Sequence, residues 1–367
     1  MRKSAEGDRV LPVHALDPAS AERLLSELGH PRYRTEQLLG WVYRRGVDDP
    51  QEMTDLPAAL REALREHLGP PALAVDRVQT SSDGTRKLAL RLADGERIES
   101  VLIPDRERLT LCVSSQVGCA MGCGFCATAL LGLRRQLSVE EIVGQVMQAR
   151  REAAEAWPDG TGITNIVFMG MGEPLHNLDR LLPALDILVS PWGLGISPRR
   201  ITVSTVGLVP EMRRLLESTK VHLAVSLGAT TEETRRELMP VTRKYSLACL
   251  LEECRRLPLP RRKRITFEYT LLAGKNDSDE DARRLVRLLH GIRAKVNLIY
   301  WNPFPEGRYE RASRERTERF QRLLLDHGIP ASVRESRGPD IAAACGQLAA
   351  RAEADEEKQS EAPATPV

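Results

Sequence analysis

Three cysteines fall within eight residues, Cys119-Ala-Met-Gly-Cys123-Gly-Phe-Cys126. Thiolates crowded in this way are metal ligands. Tetrahedral zinc sites take cysteines in Cys-x-x-Cys pairs, completed by a second pair or by histidines further along. Iron–sulfur clusters are held by thiolates gathered on one loop. No fourth ligand is evident here, so a cluster held by this loop would keep one iron open to a substrate. Gly118, Gly122 and Gly124 interleave the ligands, letting the backbone turn tightly and bring its N–H groups near the sulfurs. A structural zinc loop and cysteines packed in a core are the competing readings.

Other residues of chemical interest lie at expected strand ends. The segment Met171-Gly172-Glu173-Pro174 follows an apolar strand, pairing a residue that admits close backbone approach with an anion. Ser204, Ser226-Leu227-Gly228 and Asn302 stand at three further strand ends, each able to hydrogen-bond a ligand or to cap a turn. Glu99 shares a strand face with Val101 and Ile103. An unpaired carboxylate is costly to bury, so Glu99 either points to water from an edge or serves as a base whose apolar neighbours raise its proton affinity. Four cysteines lie outside the loop. Cys249 and Cys254 fall in a leucine-rich helix, where cysteine acts as a small hydrophobe. Cys112 precedes the loop, and Cys345 sits near the C-terminus in Asp340-Ile-Ala-Ala-Ala-Cys345-Gly346-Gln347.

The elements that must position these residues alternate from residue 109 onward. Apolar strand patterns cover 165–170, 200–204, 221–226, 265–272 and 296–301. Helical patterns cover 142–155, 178–189, 209–217, 232–238, 247–256 and 279–290, the first opened by the capping box Ser138-Val-Glu-Glu141. Repeated βα units imply an α/β fold, with parallel strands and helices outside, as an open sheet or a barrel. Chemistry is then expected at the C-terminal strand ends. Before this core, Asp94-Gly95 marks a β-hairpin between strands at 87–92 and 97–103. The first 75 residues read as three helices, with Gly29 and Gly46 as stops and Pro57 opening the third. This small module is either a structural cap or an RNA-binding appendage.

The chain has 367 residues and 42 % hydrophobic residues but only 4 % aromatics, so its core must be mostly aliphatic. No apolar run approaches the ~20 residues of a membrane span, and the polar first eight residues carry no signal-peptide pattern. A cytoplasmic location is expected. Seven cysteines, an odd number with three on one loop, fit a reducing compartment better than a disulfide scaffold. The net charge of +2 hides an acidic tail from Arg351 onward, expected to be disordered, and basic clusters at Arg32/Arg34, Arg44/Arg45, Arg134/Arg135, Arg199/Arg200 and 261–264. Together these clusters point towards nucleic acid, although charge runs are usually solvated faces.

The cysteine loop resembles that of radical-SAM enzymes. The resemblance implies a 4Fe-4S cluster on Cys119, Cys123 and Cys126, with S-adenosylmethionine (SAM) chelated by the open iron and Phe125 packed near its adenine. It implies a partial (β/α) barrel, with Gly172 and Glu173 receiving the cofactor's amino group and Ser204, Ser226, Leu227, Gly228 and Asn302 supplying further contacts.

Longer stretches narrow the family. LTLCVSSQVGCAMGCGFCAT, MGMGEPLHN, WNPFP and RGPDIAAACGQLA are similar to segments of the RlmN/Cfr family of radical-SAM RNA methyltransferases, as are TEQLLGWVY and EMTDLP near the N-terminus. The resemblance spans nearly the whole chain except the tail. It implies a helical RNA-binding domain at 1–75, a connecting β-hairpin at 76–104, a radical-SAM core at 105–340 and a C-terminal segment at 341–367. The implied reaction methylates carbon 2 of an adenine in 23S rRNA and of the adenine beside the tRNA anticodon, using two SAM molecules per turnover. Cys345 would carry the methyl group, Glu99 would accept the ring proton, and Cys112 would resolve the RNA adduct through a transient disulfide with Cys345. A flavodoxin-like electron donor and a monomeric state complete the expectation. Methylation at carbon 8, the reaction of another branch, shares these motifs. A non-catalytic RNA-binding protein with a structural metal loop is the rival from another class; it would need neither Cys112 nor Cys345. Family members often carry histidine or asparagine where this chain has Gly228, so a backbone contact is expected there.

Overall fold

The computed structural model describes residues 10–160 and 162–349; the expected acidic tail lies outside them. The N-terminal helices are α1 (Pro18–Glu27), α2 (Arg34–Leu39) and α3 (Ala58–His67). Asp17 and Ser20 form a capping box at the start of α1. The second helix departs from expectation: after α2 the chain widens into a π-helical turn, Gly40–Arg45, ended by left-handed Gly46. A regular helix would fan successive side chains by about 100°; here Trp41, Val42 and Tyr43 are all buried. Tyr43 Oη donates to Leu16 O at 2.7 Å. The block is tied to helix α4 (Val139–Ala156) of the core, whose Arg150 donates to Tyr43 O at 2.5 Å and whose Arg151 pairs with Asp48.

One ten-stranded sheet organises the rest. Strands β1 (Leu73–Thr80), β2 (Arg86–Leu92), β3 (Arg97–Asp105) and β4 (Arg108–Cys112) form an antiparallel meander. The expected hairpin is present as β2–β3, yet it is no free connection: it lies inside the continuous sheet, flanked by β1 and β4. From β4 the sheet continues in parallel through β5 (Asn165–Phe168), β6 (Ile201–Thr205), β7 (His222–Ser226), β8 (Ile265–Leu271), β9 (Ala294–Tyr300) and β10 (Ala331–Arg334).

The crossovers carry α4, α5 (Leu178–Val189), α6 (Val209–Ser218), α7 (Glu232–Leu238), α8 (Leu247–Arg256), α9 (Asp279–Leu289) and α10 (Arg314–Asp326). The helices cover the outer face: in β8 Phe267, Tyr269 and Leu271 are buried on it, with Tyr269 stacked on Phe320 of α10, while Glu268 and Thr270 between them face the inside of the barrel. The outer strands β1 and β10 do not pair, so the fold is an open, partial (β/α) barrel. No helix among the described residues is long and apolar enough to cross a membrane.

Candidate active site

The cysteine loop leaves the C-terminal end of β4, where a short ribbon pairs Gln116–Gly118 with Leu133–Gln136. Its neck requires glycine. Gly118 has φ +74, and a Cβ there would lie 1.8 Å from Gly132 O, the carbonyl that accepts the Cys119 N–H at 2.8 Å. Further along, Gly124 N–H donates to Leu238 O at 3.0 Å, and Trp301 Nε1 donates to Phe125 O at 3.2 Å.

A cavity of about 160 Å³ opens beneath the loop. Cys119, Cys123, Cys126, Phe125, Gly172, Glu173, Ser204, Ser226, Glu268 and Cys345 all line it. Burial pushes the Cys119 thiol up to about 12 and raises those of Cys123 and Cys126. Left protonated, such thiols are poor nucleophiles; a metal replaces their protons. Among the described residues no three His, Cys, Asp or Glu side chains converge closely enough to hold one ion. The thiolates of a cluster bind different irons and need not meet at a point.

Glu173 is buried at the cavity wall. Burial raises its carboxyl to about 7, opposed by hydrogen bonds from Val206 N–H (2.9 Å), the Thr205 hydroxyl and Leu175 N–H (3.1 Å). Gly172, at φ +97, lets this turn press against Gln116, whose Cβ would sit 2.5 Å from any Cβ added at 172. Gln116 Oε1 accepts the Glu173 N–H at 2.7 Å.

Cys345 is delivered by a C-terminal segment of successive turns, including a 3-10 turn at Pro339–Ile341, pinned along its length. Asp83 accepts the Gly338 N–H at 3.0 Å, and Asp340 accepts the Ser81 hydroxyl at 2.6 Å and the Ser82 N–H at 3.1 Å. Burial raises the Asp83 carboxyl, but donors from Thr85 and Gly338 outweigh it and leave it at about 2. Asn302 Nδ2 donates to Cys345 O at 3.1 Å, and Ala127 N–H to Gly346 O at 2.7 Å. Asn302 therefore holds the segment rather than lining the main cavity. Cys112 and Cys345 share a smaller adjoining cavity with Asn302 and Arg334. Burial pushes the Cys112 thiol up to about 12; the Cys345 sulfur adds to the rise and Arg334 works against it.

Glu99 is buried on the same sheet face as Cys112, which pairs across the strands with Val101. The expected apolar setting is corrected here. Lys87 Nζ lies 2.9 Å from Glu99 Oε1, with both side chains almost inaccessible, and Ala349 N–H donates to Oε2 at 2.9 Å. The charge is carried by a partner on the neighbouring strand.

Leu227 and Gly228 are not brought to the cavity wall. The Leu227 N–H donates to Glu268 O at 3.0 Å and its carbonyl accepts from Arg235 Nε at 2.9 Å; the Gly228 carbonyl accepts from Asn276 Nδ2 at 2.7 Å. The Gly228 carbonyl is thus engaged within the protein. The φ of +75 at Gly228 favours glycine, and a Cβ there would have to displace the Met239 side chain, whose Sδ would lie 2.4 Å away.

Sequence reasoning missed Lys87, Glu268, Arg334 and Arg235. Glu268 carried a signal, an acidic residue inside the apolar run Ile265-Thr-Phe-Glu-Tyr269. Its Oε1 accepts from Asn297 Nδ2 at 3.0 Å, while Oε2 has no partner and burial raises its carboxyl. Arg235, in a charged helix, carried none; it is fully buried and donates to Leu227 O, Thr242 Oγ1 and Val206 O.

Known proteins resemble this arrangement closely. The profile described as the radical SAM superfamily matches residues 113–286, and that of the ribosomal RNA large subunit methyltransferase N-terminal domain matches residues 14–69. A dual-specificity RNA methyltransferase RlmN of Syntrophotalea carbinolica is 52 % identical over 88 % of this chain and 85 % of its own length. Its counterpart in Geobacter sulfurreducens is 49 % identical over 95 % and 94 %. The crystal structure of a radical SAM methyltransferase from Sphaerobacter thermophilus superposes with a TM-score of 0.88 at 46 % identity, covering 93 % of this chain and all of that one.

Proposed function

The chain belongs to the RlmN family of radical-SAM RNA methyltransferases, and on that footing we propose that it methylates carbon 2 of one adenine in 23S rRNA and of the adenine beside the tRNA anticodon. The observation that carries this reading is convergence: three loop thiols, Glu173 and Cys345 line one cavity, and Cys112 meets Cys345 in the next. An adenine ring carbon is electron-poor and cannot attack a methyl donor as an amine would, so a carrier on the protein is needed.

Cys119, Cys123 and Cys126 would hold a 4Fe-4S cluster, and Glu173 with Gly172, Ser204 and Ser226 would seat SAM. Bound there, cluster and cofactor supply a methyl group and the radical that removes a hydrogen from it, consuming two SAM per turnover. Cys345 would take the methyl group on sulfur; once one hydrogen is removed, its carbon adds to the ring to form a carbon–carbon bond, and the unpaired electron this leaves on the ring passes back to the electron-transfer chain that the flavodoxin-like protein feeds. Glu99, held by Lys87, receives the ring proton. Cys112 then attacks the Cys345 sulfur: an S–S bond forms, the C–S bond breaks, and its electron pair stays on the carbon, which is protonated to the product methyl. Asp83 and Asp340 hold the segment that makes this sequence possible.

Residues 1–75 act as an RNA-binding domain joined through the 76–104 hairpin to a core at 105–340, with Cys345 on the C-terminal segment 341–367. A flavodoxin-like protein supplies electrons to a monomeric enzyme in the cytoplasm.

Nucleoside mass spectrometry of 23S rRNA and tRNA treated with the reconstituted enzyme is expected to show 2-methyladenosine in both. Finding 8-methyladenosine alone would move the reaction to the other ring carbon. RNA binding with no methyladenosine at all would sink the proposal.

A further inference from the structure

The end of the barrel opposite the cavity bears a positive surface that this chemistry does not use. Arg199 and Arg200 immediately precede β6, and Lys220 lies just before β7. The run 261–264 precedes β8, and Lys295 is the second residue of β9. Strands β6 to β9 are parallel neighbours, so these residues gather at the N-terminal mouths of four adjacent strands. All but Lys263, which is half-buried, are exposed.

No salt bridge joins any of them to a carboxylate among the described residues, whereas most arginines on the surrounding helices are paired, such as Arg213 with Glu253 at 2.9 Å. Their donors turn to main-chain oxygens instead: Lys263 Nζ to Val221 O at 3.2 Å and Arg200 to Thr164 O at 3.3 Å. The crowding acts on neighbouring groups. Lys263 is lowered by burial and then by Arg199 and Lys220; His222 is lowered by burial and then by Lys263 and Lys295. Like charges gathered without counter-ions oppose folding, and a bound polyanion relieves them.

We propose that this surface binds the phosphate backbone of the substrate RNA, far from the reacting base; the proposal rests on the RNA reading above. Strands of five to seven residues rising about 3.3 Å each put roughly 20 Å between the strand mouths and the cavity. An RNA whose loop enters the cavity reaches the strand mouths only if it continues past that loop and down the side of the barrel, which a full-length tRNA or a large rRNA fragment has the length to do. The surface therefore selects for RNA size and adds affinity without entering the chemistry.

The test replaces Arg199, Lys220, Arg262 and Lys295 together with glutamine. A matched control replaces Arg236, Arg283, Arg287 and Arg314, which lie on α7, α9 and α10. Binding of full-length tRNA and of its isolated anticodon stem-loop is measured over a range of salt. The first variant is expected to weaken full-length binding roughly tenfold or more at 0.15 M salt. The slope of log Kd against log salt should fall by about one for each phosphate no longer neutralised. Stem-loop affinity and SAM cleavage should not change, and KM for full-length tRNA should rise with kcat unaltered. Equal weakening of both RNAs, equal weakening by the control, or no change would overturn the proposal. So would loss of binding to anionic vesicles with RNA affinity intact, which would assign the surface to a membrane. Binding is read separately from methylation, so an unaltered protein that binds RNA but cannot methylate it would count against the functional reading and leave this comparison standing.

Discussion

Replacing Cys112 with alanine is expected to leave the protein covalently joined to its RNA. Cys345 in that variant still takes up a methyl group and still attacks the ring, but no thiol remains in the small cavity to release it. A conjugate that survives denaturation should accumulate to about one per chain, and multiple turnover should fall at least about 100-fold, or some 2.7 kcal/mol in the barrier. Cys345→Ala fails earlier, with no protein-bound methyl group and no conjugate. A denaturing gel with labelled RNA separates the two. Normal turnover by Cys112→Ala with no trapped species would show that these roles are assigned wrongly. Burial and exposure of the two thiols fit the proposed order, in which Cys345 acts first. The Cys112 thiol, pushed up by burial, is a weak nucleophile at neutral pH, whereas Cys345 is exposed at the rim of the main cavity.

The second large effect falls on Lys87. Removing one member of a buried ion pair leaves the other uncompensated, which typically costs ~3–5 kcal/mol. Lys87→Met should therefore destabilise the fold by that amount, read from chemical denaturation. Adding Glu99→Gln to it should recover much of the loss, because the buried charge is then gone. For activity the effects diverge. Glu99→Gln alone should slow proton removal and let the conjugate build up, while the double variant stays stable yet remains slow. A Lys87→Met protein as stable as the unaltered one would mean that Glu99 finds its counter-charge elsewhere.

Much of this was legible because its signals are local. The Cys119–Cys126 spacing, the glycines around it and the Gly172-Glu173 turn each declare themselves in a few residues, and α5, α7 and α8 follow plain helical periodicity. Contacts between distant segments were not legible. Nothing in the sequence places Lys87 against Glu99, since that pair depends on strand register and on the C-terminal segment closing over both. The last crossover was missed because α10 buries only Thr317, Phe320 and Leu324 beneath a heavily charged surface, and β10 is four residues long. The first strand, β1, is mostly exposed and lacks the apolar run that marks its neighbours. The π-helical turn at 40–45 arises from the demand to bury three consecutive side chains, a packing effect that helix propensity does not encode.

The central claim is that the cavity beneath the cysteine loop performs radical chemistry on SAM. Anaerobic reconstitution with iron and sulfide, reduction, and quantification of 5′-deoxyadenosine in the presence of SAM test it most directly. The account predicts about four iron and four sulfide per chain and formation of 5′-deoxyadenosine, both abolished together by Cys123→Ala. Protein that retains zinc, takes up no iron and yields no 5′-deoxyadenosine would contradict it.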